Sequence, residues 1–573
     1  MEDKSKNKLQ LYFEYYVEHF DPKNDSWYHS LKKYIDIIQL IKAELQQIKD
    51  FENLIEEDQI LKLNEVFVKC SNAEIKNIES FLNRYVFDQD NGVGNVKQGS
   101  VWSTDNNSHI SQITQKATPS LIYTILTETD SNKVNDSILQ LLDADRTYNA
   151  VRFRFIRTLF PDNFGAPDAP EKLYRLVNAI NKKLDISITG NDLEKHEMLC
   201  SMIKTDDPVL RQMFTWELYY MLDLDLDLKK ALVFYGAPGT GKTFESDIKA
   251  KKHIDLHRIK KGNSISNNYK IQTVQFHPSY SYEDFFEGIR PTDDGKLKLF
   301  NGVFKQFCKD NSVLERTLYT TDNFLTNEKF IAVDYDFSQI LLTDLSDAQK
   351  KVLGCDKENL AAELTIQDWI EPVFFIIDEI NRAELSKVFG ELMLSLEYRG
   401  VKGKIKTQYA HLCKIDTDES AFYFEDGQNW FFVPQNIYVI GTMNNIDRSV
   451  DAFDFALRRR FMWEEIHPNY GVIYEVLSQK GWPVETCEAL SKSLKSLNDL
   501  IENDDILDKN YRIGQSYVLE LRKMNPVRFD SVVKTKEFLW EKFIQPLLEE
   551  YLRGMGDEKK SSEKINGFKK VFI

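Results

Sequence analysis

Cysteine is scarce in this chain of 573 residues. The six that occur (Cys70, Cys200, Cys308, Cys355, Cys413 and Cys487) stand far apart, with no C-x-x-C pair. That spacing argues against a structural zinc site and against a disulfide framework. Long apolar runs are missing too: none approaches 18 residues, and the N-terminus is charged. Secretion and membrane spanning are therefore not expected, and a cytoplasmic location is. Positive charge is in deficit. Seventy-four Lys and Arg stand against 90 Asp and Glu, a net charge of −16, whereas a DNA-binding surface usually shows as a basic patch. The first 190 residues are no exception, with 23 basic and 28 acidic side chains. Repeats at solenoid periods are absent, and no nuclease constellation of paired acids and lysine on strands stands out. What remains is globular, 42% hydrophobic and 29% charged, in a chain long enough for three or four domains.

Against this acidic background two basic patches occur. One is Arg152-Phe153-Arg154-Phe155-Ile156-Arg157, the other Lys251-Lys252 with Arg258 to Lys261. The first could be a strand presenting arginines to phosphates, but an amphipathic helix with a solvated face is preferred.

The chemistry is concentrated after the apolar run Ala231-Leu232-Val233-Phe234-Tyr235. There the chain reads Gly236-Ala237-Pro238-Gly239-Thr240-Gly241-Lys242-Thr243, a G-x-x-x-x-G-K-T motif directly behind a strand. Glycines let backbone N–H groups turn inward around phosphates with no Cβ in the way. Lys242 would reach the β- and γ-phosphates, Thr243 would sit on Mg²⁺, and the helix that follows adds its N-terminal partial charge. Phe244, next in sequence, is grouped with the nucleotide-binding residues. A second apolar run, Val373-Phe374-Phe375-Ile376-Ile377, ends in Asp378-Glu379. It reads as a buried parallel strand with carboxylates at its C-terminal tip, where open α/β sheets bind ligands. Asp378 would hold Mg²⁺, directly or through water, and Glu379 would polarise an attacking water. A third strand, Asn436 to Thr442, runs into Met443-Asn444-Asn445-Ile446-Asp447-Arg448-Ser449, and Asn444 at its tip could bond the γ-phosphate or position water. Finally Arg458-Arg459-Arg460 closes a short helix. Such a cluster could reach a neighbouring subunit's nucleotide in trans or simply offset the helix dipole. Three adjacent arginines cannot all face one phosphate.

Phosphate loop, Asp-Glu strand, polar-tipped strand and arginine cluster, in this order, resemble an AAA+ ATPase module. The wording narrows the resemblance to the McrB family, the motor subunits of modification-dependent restriction systems. Phe276-His277-Pro278-Ser279-Tyr280-Ser281-Tyr282-Glu283-Asp284-Phe285 looks like a segment of that family, as does Asp378 through Leu392. Met443 to Ser449 fits its M-N-x-x-D-R-S signature, which carries Asn444 and Asp447 across as nucleotide-sensing residues. Ile513-Gly514-Gln515-Ser516-Tyr517 is similar to the family's I-G-H-S-Y-F, with Gln515 where His is usual and Val518 where Phe is usual. Those two changes put the role of that segment in question. Trp540 through Tyr551 looks like the closing helix. The resemblance covers about Asp207 to Gly556. It implies an α/β module with a parallel sheet and helices on both faces, a C-terminal helical lid, and a mainly helical region in front. It also implies hydrolysis of GTP with Mg²⁺, although the residues themselves do not separate GTP from ATP. A homohexamer, a McrC-like nuclease subunit and DNA, modified or not, are the implied partners. A protein-remodelling ATPase of the MoxR or dynein-related kind, with no nucleic acid, shares the nucleotide machinery but not the Met443 to Ser449 wording. A nucleotide-dependent assembly scaffold is a third reading.

The domain boundaries expected are a helical region over 1–86, a polar linker over 87–118 and a second helical region over 119–200, a candidate for target sensing. The large α/β subdomain follows over 201–465, the helical lid over 466–556 and a charged tail over 557–573. Between Asp310 and about Ile370 lies a long segment that is either a surface insertion, the preferred reading, or a contact for a partner, with a strand-like Lys329-Phe330-Ile331-Ala332-Val333 and a helical stretch near Asp347 to Leu364. In the N-terminal part, Leu31-Tyr34-Ile35-Ile38-Leu40-Ile41 and Leu54-Ile60-Leu61-Leu63 form apolar stripes that read as core. Helices are also expected over Tyr148 to Phe160 and Lys172 to Leu184. The aromatics Tyr12, Phe13, Tyr15, Tyr16, Phe20, Trp27 and Tyr28 could cage a flipped base, but core packing explains them more simply.

Overall fold

The computed structural model describes residues 8–22, 25–82, 115–142, 149–165, 170–184, 186–222, 225–261, 266–355, 364–446, 455–553 and 558–573. The linker expected over 87–118 falls almost wholly outside them. The chain forms two compact units, 1–224 and 225–573. The helix Pro208–Leu222 lies with the first of them.

The first unit is helical throughout its described residues. The stripe Tyr34, Ile38, Ile41 and Leu45 of the helix Ser26–Leu45 packs with Leu63 and Phe67 of Glu56–Cys70. Leu40, Ile60 and Leu61, expected in these stripes, face outward instead. In the second helix the core face is Gln59, Leu63, Val66 and Phe67, an i, i+4, i+7, i+8 stripe that passes over Ile60 and Leu61. Gln59 is tolerated there because its amide donates to the Phe51 and Leu54 carbonyls of the preceding turn. The arginine-aromatic run is part of the helix Asn149–Leu159. Phe153, Phe155 and Ile156 are core, and Arg157 is 2% exposed rather than solvated. Tyr12, Phe13, Tyr15 and Tyr28 are buried too, in line with core packing.

The second unit is built on a parallel sheet. Its strands are β1 (Ala231–Gly236), β2 (Ile271–Gln275), β5 (Val373–Asp378), β8 (Ile437–Asn444) and β9 (Met462–Glu465), in the order β2-β5-β8-β1-β9. Two hairpins, β3 (Glu287–Pro291) with β4 (Leu297–Asn301) and β6 (Tyr423–Glu425) with β7 (Gln428–Trp430), are antiparallel. Both faces of the sheet are covered, which is why its central strands read as unbroken apolar runs. Ala231, Val233, Phe375, Ile377 and Val439 point to one core. Leu232, Phe234, Phe374, Ile376 and Ile440 point to the other, against Ala250 and Ile254 of the helix Lys242–Lys260.

The segment 310–370 is no surface appendage. Leu318, Tyr319, Phe324, Phe330, Phe337, Ile340, Leu342 and Ile366 belong to the same core as the sheet. Gln435, just before β8, pins it: Phe337 N donates to the Gln435 side chain at 2.9 Å, which in turn donates to the Tyr335 carbonyl at 2.9 Å. The expected strand over Lys329 to Val333 is a short helix, Glu328–Ala332, capped by the Asn327 side chain. Only Phe330 there is buried while Ile331 is exposed, so five apolar-rich residues gave period 2 no purchase. The later helical stretch forms over Asp347–Leu353, and residues 356–363 lie outside the described ones.

Helices Gly471–Gln479, Val484–Glu502, Val532–Leu539 and Gln545–Leu552 make a separate helical core around Leu490, Leu494, Leu497 and Trp540. The charged tail is not a tail. Glu558–Phe572 is a helix whose Ile565, Phe568 and Phe572 lie against this core, an i, i+3, i+7 stripe hidden among lysines.

Candidate functional site

β1 ends in the phosphate loop, and the loop's shape depends on its glycines. Gly236, Gly239 and Gly241 have φ of +152°, +76° and +89°, a region costly for a residue with a Cβ. All six carbonyls from Gly236 to Gly241 are tied back. Gly236 O accepts from Asn445 N, and Ala237 O accepts from Lys242 Nζ at 2.8 Å and Thr240 Oγ1 at 3.0 Å. Pro238 O accepts from Gly514 N and Gly239 O from Ser516 N, each at 3.0 Å. Thr240 O accepts from Gln515 Nε2 at 2.9 Å, and Gly241 O from Glu245 N at 2.9 Å. With its carbonyls tied back, the loop has its amides to offer an anion, at the head of a 19-residue helix. Lys242, 7% exposed, lies along the loop and also donates to Gly236 O at 3.3 Å.

β5 brings two carboxylates to this end of the sheet. Asp378 Oδ1 accepts from the hydroxyls of Thr243 at 2.8 Å and Thr442 at 2.5 Å, so phosphate loop, β5 and β8 meet on one oxygen. A hydroxyl and a carboxylate in contact, beside amides fit for phosphate, are a hard-oxygen set suited to Mg²⁺. Glu379 is left-handed at φ +52°, a conformation that costs a residue with a side chain about 1 kcal/mol or more. Its carboxylate is held from two sides: Asn444 Nδ2 donates to Oε1 at 3.0 Å, and Arg382 Nε lies 3.5 Å from Oε2. Asn445 reaches the other way, to Asn510 of the helical subdomain at 2.7 Å.

The structure therefore gathers Gly236 to Thr243, Asp378, Glu379 and Asn444. Phe244 is 67% exposed at the head of the helix, and Asp447 lies outside the described residues. Arg458, Arg459 and Arg460 are not in this group. β9 runs parallel to β1 with Met462 opposite Leu232 and Glu465 opposite Tyr235. The arginines precede β9 and so sit at the N-terminal end of the sheet, whereas the phosphate loop leaves its C-terminal end. Strand rise alone separates the two ends by roughly 13 Å. Arg460 Nη2 is 2.9 Å and Arg459 Nη2 3.1 Å from Glu397 Oε2. Arg460 is nearly buried, Arg459 largely exposed, and Arg458 lies over the Trp463 ring. The other basic patch is consumed internally: Arg258 pairs with Glu371, Lys260 with Asp368, and Lys261 donates to the Trp369 carbonyl.

Thr442, Arg382 and Asn510 were not singled out from the sequence, because nothing local marks a threonine or an asparagine that acts through a neighbour. The Phe276 to Phe285 segment lies beside the site, with Phe276 N donating to Asp378 O at 2.9 Å and Tyr282 Oη to Glu391 at 2.7 Å.

Comparison with known proteins agrees with this geometry. An AAA domain of the dynein-related subfamily matches residues 231–461, and the McrB alpha-helical lid domain matches 489–560. The EcoKMcrB subunit of the type IV methyl-directed restriction enzyme of Escherichia coli (strain K12) is 32% identical over 298 residues, 51% of this chain and 48% of that one. The chain belongs to the McrB family of AAA+ NTPases. A second likeness is weaker: component YdiS of the type II restriction enzyme BsuMI of Bacillus subtilis (strain 168), 23% identical over 235 residues, 40% of this chain and 55% of that one. The chain thus spans about half the length of the curated relatives it matches. A solved putative ATPase from Cytophaga hutchinsonii matches at 10% identity over 69% of this chain and 86% of that one, with a TM-score of 0.22, a score that carries nothing across.

Proposed function

We propose that this chain is an oligomeric nucleoside triphosphatase, favouring GTP over ATP, that drives DNA translocation or remodelling for a restriction complex whose nuclease is a separate subunit. The observation that carries the enzymatic part is the meeting of Thr243, Thr442 and Asp378 beside a loop whose carbonyls are all tied back. The restriction setting is supported by the McrB lid match and by the names of the two curated relatives.

In this reading the loop amides and Lys242 hold the triphosphate, and Thr243 and Asp378 hold Mg²⁺, directly or through water. When bound, the ion offsets charge on the phosphate oxygens. Glu379 orients and polarises the attacking water. Water oxygen bonds to the γ-phosphorus, the bond to the bridging oxygen breaks, and the water's proton leaves toward the Glu379 carboxylate or phosphate. Asn444 fixes Glu379 for this work, and Asp447 belongs to the nucleotide-sensing set through the M-N-x-x-D-R-S wording. Arg458 or Arg459 serves the nucleotide of the next subunit, since neither reaches its own loop, and Arg460 is structural. The assembly is taken to be a homohexamer with a McrC-like partner, acting on DNA through the complex, in the cytoplasm. Among the described residues no helix is long and apolar enough to cross a membrane.

The dynein-related label of the AAA match supports a second reading, a protein-remodelling ATPase. Hydrolysis of GTP and ATP measured in parallel, with and without the product of the neighbouring gene, separates the two. GTP preference with stimulation by that partner fits the restriction motor. ATP preference with no response moves the assignment to remodelling.

A further inference from the structure

We propose that Gln515 is a positioning residue for nucleotide binding, coupling the phosphate loop to the junction between sheet and lid. The proposal rests on the nucleoside triphosphatase reading above and concerns how its site is held open for phosphate.

Residues 513–517 lie against the loop more closely than any side chain other than hydrogen would allow at Gly514. A Cβ there would stand 2.0 Å from Gly239 C and 2.3 Å from Thr240 N. Three consecutive loop carbonyls, those of Pro238, Gly239 and Thr240, are held by Gly514 N, Ser516 N and the Gln515 side chain. The first two bonds are backbone to backbone and need only the chain's path. The third needs this side chain. Gln515 is 8% exposed, and its amide makes two bonds: Nε2 donates to Thr240 O at 2.9 Å, and Oε1 accepts from Asn469 N at 3.0 Å. A backbone N–H only donates and a carbonyl only accepts, so these partners fix which end of the amide points where.

Asn469 lies between β9 and the helix Gly471–Gln479, where the chain leaves the sheet for the lid. One side chain therefore spans the Thr240 peptide and the entrance to the lid. The Thr240 carbonyl belongs to the peptide whose N–H is that of Gly241, in the stretch expected to face phosphate. Holding that carbonyl outward holds that N–H inward. A shift of the peptide when phosphate binds or leaves would pass through the amide to Asn469 and hence to the lid.

The demand on residue 515 is one donor and one acceptor at amide spacing. Glutamate has the shape but no donor when ionised. Neutral imidazole has one of each. The test compares wild type, Q515E, Q515M and Q515H at pH 8, reading Kd for fluorescent GTP and ATP analogues with Mg²⁺, together with KM, kcat and Tm. Q515E is expected to raise Kd and KM by about tenfold, the scale of one lost hydrogen bond with an acceptor left facing an acceptor, and to leave kcat within about threefold. Q515M should match Q515E. Q515H should return Kd to within about threefold of wild type, which a role in packing alone would not produce. Q515E or Q515M binding nucleotide as wild type does would overturn the proposal, and so would Q515H binding as weakly as Q515M. Wild type binding neither analogue would instead sink the nucleoside triphosphatase reading and this proposal with it.

Discussion

Gly514→Ala is the sharpest test of the contact between lid and phosphate loop. Gly514 has no positive φ, so alanine suits its backbone and any effect reports the neighbours. Those neighbours are the Gly239 carbon at 2.0 Å and oxygen at 2.1 Å from the new Cβ, against an ordinary carbon–carbon contact of about 3.5–4.0 Å. Both are backbone, so no side chain can swing aside. The two segments must part by about 1.5 Å, which stretches the Gly514–Pro238 and Ser516–Gly239 bonds, each 3.0 Å now, beyond hydrogen-bonding range. Two neutral bonds lost amount to about 1–3 kcal/mol. If the clamped loop is the form that binds nucleotide, affinity falls by roughly tenfold to a hundredfold. Titration with a fluorescent nucleotide measures this directly, with Tm as a second reading. Gly567→Ala is the control: nothing lies within 4 Å of its Cβ, and its helix should gain slightly. Wild-type affinity in G514A would mean that the lid contact is incidental to binding.

Glu379→Gln should abolish turnover while leaving nucleotide binding intact, and single-turnover hydrolysis with binding measured beside it decides; normal hydrolysis removes Glu379 from its role. Arg460→Ala should lower Tm, because it strips a nearly buried partner from Glu397, at a cost of about 1 kcal/mol since Glu397 is part-exposed and keeps Arg459. Arg458→Ala and Arg459→Ala should spare Tm, and one of them should stop turnover. Mixing that arginine variant with E379Q should restore part of the rate, since each brings what the other lacks; no restoration speaks against action in trans. Burial, and then Lys261, hold the His257 imidazolium down at a pKa of about 3 against an ordinary 6.5, although Nε2–H donates to the Gln367 carbonyl. The folded chain therefore binds fewer protons than the unfolded one between those values, and stability falls as pH drops from about 6.5 toward 3. The slope is about 1.4 kcal/mol per pH unit for one group. His257→Gln should flatten that part of a Tm-against-pH curve, and an unchanged curve would refute the assignment.

The sheet was legible where its strands are buried on both faces. β1 and β5 are runs of five apolar residues and β8 of four, all leading to chemistry-bearing positions. β2 (IQTVQ) and β9 (MWEE) are the two edges, half polar and short, and they look like loop in sequence. The phosphate loop and Asp378-Glu379 were legible because their residue types are dictated by contact with phosphate and metal. Thr442 was not, because it acts on a carboxylate that only the strand order brings near, and Arg382 was not, because its contact with Glu379 three residues before it depends on the left-handed turn at Glu379. The 310–370 segment reads as surface in sequence for a related reason. Its aromatics are spaced irregularly along short helices and turns, so no period announces burial, yet Tyr319, Phe324, Phe330 and Phe337 share one core with the sheet. The lysine-rich C-terminus conceals a helix because its core residues Ile565, Phe568 and Phe572 are few and set among lysines.

Gln515 shows what a departure from a family pattern can and cannot tell. In sequence it stood where histidine is usual and so put the segment's role in question. In the structure it makes a donor bond to Thr240 O and an acceptor bond to Asn469 N, a pair that a neutral imidazole can also make. The substitution keeps the hydrogen-bonding valence while changing the residue, and Val518, the other departure, is fully buried in the lid core, where its side chain serves packing. The arginines carry the opposite lesson. Their residue type invited a place beside phosphate, but the β1–β9 register puts them at the far end of the sheet from their own loop. A cation that cannot reach its own nucleotide either has no part in hydrolysis or acts on another copy's. Of the three, only Arg460 is spent inside the fold. Arg458 and Arg459 remain at the surface beside it, so if either of them helps this module hydrolyse nucleotide, the site is completed by a second chain.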